Sequence, residues 1–155
     1  CTSGDVVCHP GIVTSVVETA EQLLDQRHLD ARTLASMLED AKERSLQFAD
    51  EEDLEVDFER IWNIEPILFD EQLVGFADEA IQEVAGQSHR LPSGPLPDAA
   101  EVSRAGIPTV MVFVQGRRGL SHTKLEDTKA EHLELAVQAL DRLASKTIAH
   151  LSRLT

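Results

Sequence analysis

Cysteine is scarce in this 155-residue chain. Only Cys1 and Cys8 occur, too few for a disulfide scaffold. Six residues lie between them, which a bridge could span, but nothing in the pattern demands one. The expectation is free thiols and a cytoplasmic setting. An N-terminal cysteine can in principle act as a nucleophile, but no base stands near Cys1 in the sequence. Long apolar runs are also missing. None approaches the ~20 residues a spanning helix requires, and no basic stretch followed by an apolar block marks a signal peptide. The third shortage is positive charge. Fourteen Lys and Arg face 28 Asp and Glu, giving a formal net charge of −14. Phosphate backbones are bound by clustered cations, so no nucleic-acid partner is expected. An anionic membrane surface is disfavoured for the same reason. No closely spaced His/Asp/Glu set of the His-Glu-x-x-His kind is present, so no complete metal site can be read from spacing alone. Repeats and low-complexity tracts are absent too.

The remaining composition is that of a soluble globular protein, 42% hydrophobic and 27% charged. Asp5 to His9 is a short β-like run closed by the Pro10-Gly11 turn. Ile12 to Val17, rich in β-branched residues, predicts a strand. Glu18 to Leu24 is ambiguous, helical by propensity yet able to alternate as a strand. Asp30 is placed to cap a helix over residues 31–49, with Leu34, Met37, Leu38, Ala41 and Phe48 on one face. After the acidic turn at 50–53, Leu54, Val56 and Phe58 alternate with Glu55, Asp57 and Glu59. That period of two predicts a half-buried strand running toward Ile64. Trp62, the only tryptophan, reads as core or interface packing.

The pattern breaks at Glu65-Pro66. Asp70 then caps a helix over 71–85 that stops at Gly86, and a proline-rich loop follows to Pro97. Asp98 opens a short helix ending near Arg104. Ile107 to Val114, the most apolar segment, predicts a buried strand. A final amphipathic helix spans 129–151, with Leu133, Ala136, Val137, Leu140, Leu143, Ala144, Ile148 and Leu151 on one face. The reading is thus an α/β chain: an α+β segment over 1–66, then an α/β layer over 67–155. One strand cannot form a sheet, so its partners are expected from further sequence or another copy of the chain.

Between the last strand and the last helix lies Gly119-Leu120-Ser121-His122-Thr123-Lys124-Leu125-Glu126-Asp127-Thr128. Loops at the carboxyl ends of strands are where α/β enzymes place their chemistry. His122 is therefore the leading candidate residue, with His9, Arg27, His28, His89, Asp98, Glu101, Glu126, Asp127 and His132 as further polar candidates. His132 and His150 are explained by placement on a helix surface.

Three segments together resemble one family. Pro10-Gly11-Ile12-Val13 with Asp25-Gln26-Arg27-His28, the run Ser93 to Glu101, and Pro108 to Val114 leading into Gly119-Leu120-Ser121-His122-Thr123 resemble motifs of the hydantoinase/carbamoylase amidohydrolases. These are metal-dependent enzymes of the M20 metallopeptidase-like superfamily. The resemblance implies a three-layer α/β catalytic domain with two divalent ions, zinc or manganese, and an inserted lid domain that makes a homodimer. It implies hydrolysis of a linear amide or ureido C–N bond, in N-carbamoyl amino acids or allantoate-like compounds, by a metal-held water. It makes His122 a metal ligand, the Gly119 backbone a substrate contact, and Arg27 the group that grips the substrate carboxylate, as a guanidinium fork can. Thr14 stands where relatives often carry Asn.

The resemblance covers only the later part of such an enzyme: a lid or dimerisation segment over 1–66 and the closing part of the catalytic domain over 67–155. The family's His-x-Asp pair, Glu-Glu pair and further His have no counterpart, and its His before Asp-Ala is Pro97. No catalytic residue falls within the chain, and the 155 residues alone are expected to be inactive. The alternative is a truncated relative without activity that associates through its lid segment.

Overall fold

In the computed structural model, which describes residues 1–153, helices and strands are mixed. The chain divides into two compact units, Cys1–Pro66 and Ile67–Thr155.

The first unit is a hairpin followed by a helix. Strand β1 (Thr2–His9) pairs antiparallel with β2 (Thr19–Asp25), with Thr2 opposite Asp25 and His9 opposite Thr19. A bulge lies between Ser3 and Val6, where Ser3 faces Leu24 and Val6 faces Gln22. Residues 19–25 thus take the extended alternative, since pairing with β1 outweighs their modest helical propensity. The predicted strand over Ile12–Val17 is instead the connecting loop. Ser15 N donates to Ile12 O, Glu18 N donates to His9 O, and Gly11 has a φ of 64°. A Cβ at Gly11 would lie 2.8 Å from the Cys8 carbonyl oxygen, so this turn requires glycine.

Helix α1 (Ala31–Glu51) starts where Asp30 Oδ1 accepts from Thr33 N at 2.8 Å, satisfying a donor left open at the helix start. Gln26 Nε2 donates to Met37 O and joins the end of β2 to this helix. Leu34, Met37, Leu38 and Ala41 are half-buried as their spacing predicts, whereas Phe48 is exposed and Ala49 is the buried residue of the last turns. Residues 54–63 pair with no strand among the described residues, and all are exposed, Trp62 at 74%. A strand exists only through a partner's ladder hydrogen bonds, and alternation cannot supply the partner. Trp62 has no core role in this unit.

The second unit is organised by two helices in contact, α2 (Glu71–Ala85) and α4 (Ala130–Leu151). Asp70 caps α2 through Leu73 N, and Gly86 ends it in the left-handed region, as expected. Ala77 and Ala80 of α2 and Leu143 of α4 form the core cluster, with Phe76, Val110 and Val112 packed on it. Ala80 is fully buried, because a small side chain lets the helices approach. At the margin, Lys146 Nζ lies 2.8 Å from both Glu79 and Glu83, and the Phe76 and His150 rings meet edge-on at 5.4 Å.

Helix α3 (Asp98–Arg104) is short, and Ala100 is its buried residue. Residues 107–114 make no ladder among the described residues. Even so, Val110 and Val112, two apart, both reach the helix pair, as a period of two requires. The buried face of α4 differs from the one expected. Ala136, Ala139, Leu143 and Thr147 face inward, while Leu133, Val137, Leu140, Ile148 and Leu151 stay at least half exposed. The apolar stripe is real, but α2 covers an adjacent strip of the helix.

Candidate active-site loop

Residues 115–128 form a closed loop. Gly116 and Thr128 make an isolated antiparallel bridge at its base. Inside it, Arg117 N donates to Asp127 O at 2.7 Å and Arg117 Nε pairs with the Asp127 carboxylate at 3.1 Å. The base is therefore held by backbone and side chain together. Gly116 fits because a Cβ there would sit 3.3 Å from the Leu120 carbonyl oxygen. His132, at the start of α4, contacts the loop from outside. Its Nδ1 lies 3.2 Å from Gln115 O, so the tautomer with Nδ1 protonated donates that bond. Its side chain is only 22% exposed. His132 is thus a loop anchor, not a helix-surface residue.

Within the loop the backbone turns through the left-handed region three times, at Arg118 (φ 60°), Gly119 (φ 64°) and His122 (φ 56°). Glycine enters this region freely, but a side chain there costs on the order of 1–3 kcal/mol. His122 is held by its own backbone N–H, which donates to Glu126 Oε2 at 2.9 Å. Glu126 N in turn donates to Thr123 O, and Leu125 N to Thr123 Oγ1. The imidazole is thereby presented on an exposed, internally braced turn. Strain of this kind concentrates where a side chain must be displayed.

Arg27 and Thr14 belong to the other unit. Arg27 follows β2, and its guanidinium pairs with Asp25, Nε lying 2.9 Å from Oδ2. That hydrogen bond, then the guanidinium charge, lowers the Asp25 carboxyl below its ordinary value and raises Arg27. Cys1, Thr2, Asp25 and Arg27 line a shallow depression. Thr14 sits in the loop at the far end of the hairpin. Seven strand residues at ~3.3 Å each place the two ends about 20 Å apart. The hairpin therefore separates Arg27 from Thr14 within one chain.

The remaining candidates are structural. His28 Nδ1 accepts from Asp30 N, and His9 ends β1 opposite Thr19. Glu101 pairs with Arg104, and Asp98 opens α3. Pro97 holds the residue before α3 in an extended conformation without a side-chain cap. Asp78 of α2, which periodicity does not single out, accepts from Ser88 and from Arg90, tying the 87–97 loop to α2. Ser88 first, then Arg90, lowers its carboxyl. Among the described residues no three His, Cys, Asp or Glu side chains are grouped to hold a metal ion. None of the described helices is long and apolar enough to cross a membrane.

A unit of paired helices carrying a strained histidine loop, and a unit built on a hairpin followed by Arg27, each have known counterparts. The profile of Peptidase family M20/M25/M40 matches residues 2–146, and the chain belongs to that family. Within it, the chain is similar to the allantoate amidohydrolase of Bacillus subtilis, 28% identical over 145 residues. That alignment covers 94% of this chain and 35% of the relative. It is similar also to the N-carbamoyl-L-amino acid amidohydrolase of Geobacillus stearothermophilus, 26% identical, covering 90% of this chain and 34% of the relative. The crystal structure of an amidase of the hydantoinase/carbamoylase family from Burkholderia multivorans superposes with a TM-score of 0.79 at 30% identity. It covers 92% of this chain and 34% of that one. The chain thus spans about a third of the length of the curated relatives it matches, and corresponds to their C-terminal portion.

Proposed function

We propose that this chain is the C-terminal segment of a metal-dependent amidohydrolase that cleaves a linear amide or ureido C–N bond, in an N-carbamoyl amino acid or an allantoate-like compound. The observation that carries the reading is the family match over residues 2–146, which takes in the loop that displays His122 at a positive φ. The names of the relatives supply the reaction class. In this reading residues 1–66 are lid and 67–155 close a three-layer catalytic domain. Arg27 binds the substrate carboxylate, the Gly119 backbone contacts the substrate, and Thr14 contributes from the hairpin tip. Because the hairpin holds Thr14 and Arg27 apart, the two serve different ends of the lid. A homodimer through the lid and a cytoplasmic location complete the proposal.

The described residues do not by themselves fit a divalent metal site. His122 is a single ligand, and among the described residues it belongs to no group of three side chains able to hold a metal ion. One ligand fixes neither geometry nor affinity. The zinc or manganese ions of the family, two in the intact enzyme, would therefore be held chiefly by residues outside this segment, with His122 as one corner. The same observation supports a second reading, an inactive relative that associates through the lid segment.

Two measurements separate them. The complete natural chain carrying this sequence, supplied with zinc or manganese, is expected to release ammonia or an amine from N-carbamoyl amino acids or allantoate. No turnover on either would favour the inactive relative. The 155-residue segment alone is expected to retain no stoichiometric metal on dialysis, and a bound pair of ions would overturn the single-corner role of His122.

A further inference from the structure

The loop that carries His122 is braced against itself. Among the described residues, the hydrogen bonds of 117–127 stay inside the loop: Arg117 with Asp127, Leu120 with Arg117, His122 with Glu126, and Leu125 and Glu126 with Thr123. These bonds give the loop a shape, but they do not fix where it stands on the fold. The stem decides that, and the junction of stem and helix lacks a local device, since Lys129 precedes α4 without a side-chain cap. His132, the third residue of α4, supplies a distant one. Its Nδ1 lies 3.2 Å from the Gln115 carbonyl oxygen across the stem. The ring is tucked in at 22% exposure, while its neighbours Ala130, Glu131 and Leu133 are exposed. Glu131, held by Lys129 Nζ at 3.0 Å, is 3.7 Å from His132 Nε2, beyond a hydrogen bond. Nδ1 therefore carries the contact, and the carbonyl opposite it keeps the proton there.

We infer that His132 is a positioning residue for the reaction: by holding the Gln115 carbonyl from the first turn of α4, it fixes the stem of the 115–128 loop and, through it, the place of the His122 side chain. The inference rests on the amidohydrolase reading. It follows from the loop's internal bracing. A closed loop swings as one piece, so a small shift at its stem is carried to its tip. A side chain that serves a reaction must be held to within about 0.5 Å, and a displacement of about 1 Å can cost on the order of a hundredfold in rate.

The test uses the complete natural chain, supplied with zinc or manganese. In the wild type labelled with 15N-histidine, NMR is expected to show His132 protonated at Nδ1, its signal identified by loss in His132→Asn. His132→Phe keeps a ring and removes the donor. On whichever N-carbamoyl amino acid or allantoate the wild type hydrolyses, it should lower kcat about tenfold or more and leave KM within about twofold. Hydrogen exchange should quicken over 115–128 while α2 and the later turns of α4 keep their protection. His132→Asn sets an amide N–H where Nδ1 stood and should restore most of kcat. An unchanged kcat in His132→Phe, an equal loss in both variants, or a ring protonated at Nε2 alone overturns the assignment. Loss of protection throughout α2 and α4 also overturns it, and makes His132 a residue of the fold. If the wild type turns over neither substrate, the amidohydrolase reading fails on its own. Exchange then decides the stem: quickening confined to 115–128 in His132→Phe and reversed in His132→Asn supports the anchor, and unchanged exchange rejects it.

Discussion

The two units bury their apolar residues very differently. The second unit has a core cluster where Ala77, Ala80 and Leu143 meet, with Val110 and Val112 laid across it. The first has Ala49 as its buried residue, while Val6, Val7, Leu23 and Leu24 are exposed on both faces of the hairpin. An isolated hairpin is marginal in water, whereas two helices with an apolar seam hold each other. The lesson is that a unit's order can rest on local devices, caps and turns, or on packing. The first unit leans on the former and the second on the latter.

That contrast can be broken most sharply at Leu143. Leu143→Ala removes the α4 member of the cluster and should destabilise the second unit by roughly 2–5 kcal/mol. Hydrogen exchange should rise in α2 and α4 while β1 and β2 keep their protection. Equal loosening of the hairpin would show the two units to be one cooperative body. The converse substitution is Gly11→Ala. It places a Cβ against the Cys8 carbonyl oxygen at a φ of 64°, and should cost about 1–3 kcal/mol. The loss should appear as weakened protection across β1 and β2 with α2 and α4 unaffected. An unchanged hairpin would mean that the turn does not support the strands.

The smallest effect is electrostatic. Asp78 has its carboxyl lowered from 3.8 by Ser88 and Arg90. A carboxyl lowered in the folded state contributes stability above its unfolded value, and loses it as pH falls through the folded one. The 87–97 loop should therefore detach from α2 only in acid, below about pH 4. In Arg90→Gln the Asp78 titration, followed by NMR, should move back up toward 3.8. No movement would show Ser88 alone to be responsible.

Helix boundaries were legible in the sequence because their signals are local. Asp30, Asp70 and Gly86 each satisfy or terminate their own helix within a few residues. The strands were less so. Residues 54–59 alternate and 107–114 are apolar but for Thr109, but a ladder depends on a partner distant in sequence. Ile12–Val17 has strand composition, yet the turn at Gly11 carries it into a loop. The inward face of α4 differs from its apolar stripe for a related reason: periodicity finds the stripe, not the neighbour that covers the helix. At the candidate site, the Gly-Leu-Ser-His motif exposed His122 directly. The left-handed Arg118 and the Arg117–Asp127 clasp had no signal, since neither residue type announces a positive φ or a loop base.

The pairing of β1 with β2 also makes the hairpin a ruler. Its register, from Thr2 opposite Asp25 to His9 opposite Thr19, sets how far the Thr14 tip stands from Arg27. Adding two residues to each strand would preserve which side chains face each surface and lengthen that span by about 7 Å. Adding one would turn every later side chain to the opposite surface. Over evolutionary time, the reach of this element can therefore change in steps of two, a single extra residue needing a bulge such as the one between Ser3 and Val6.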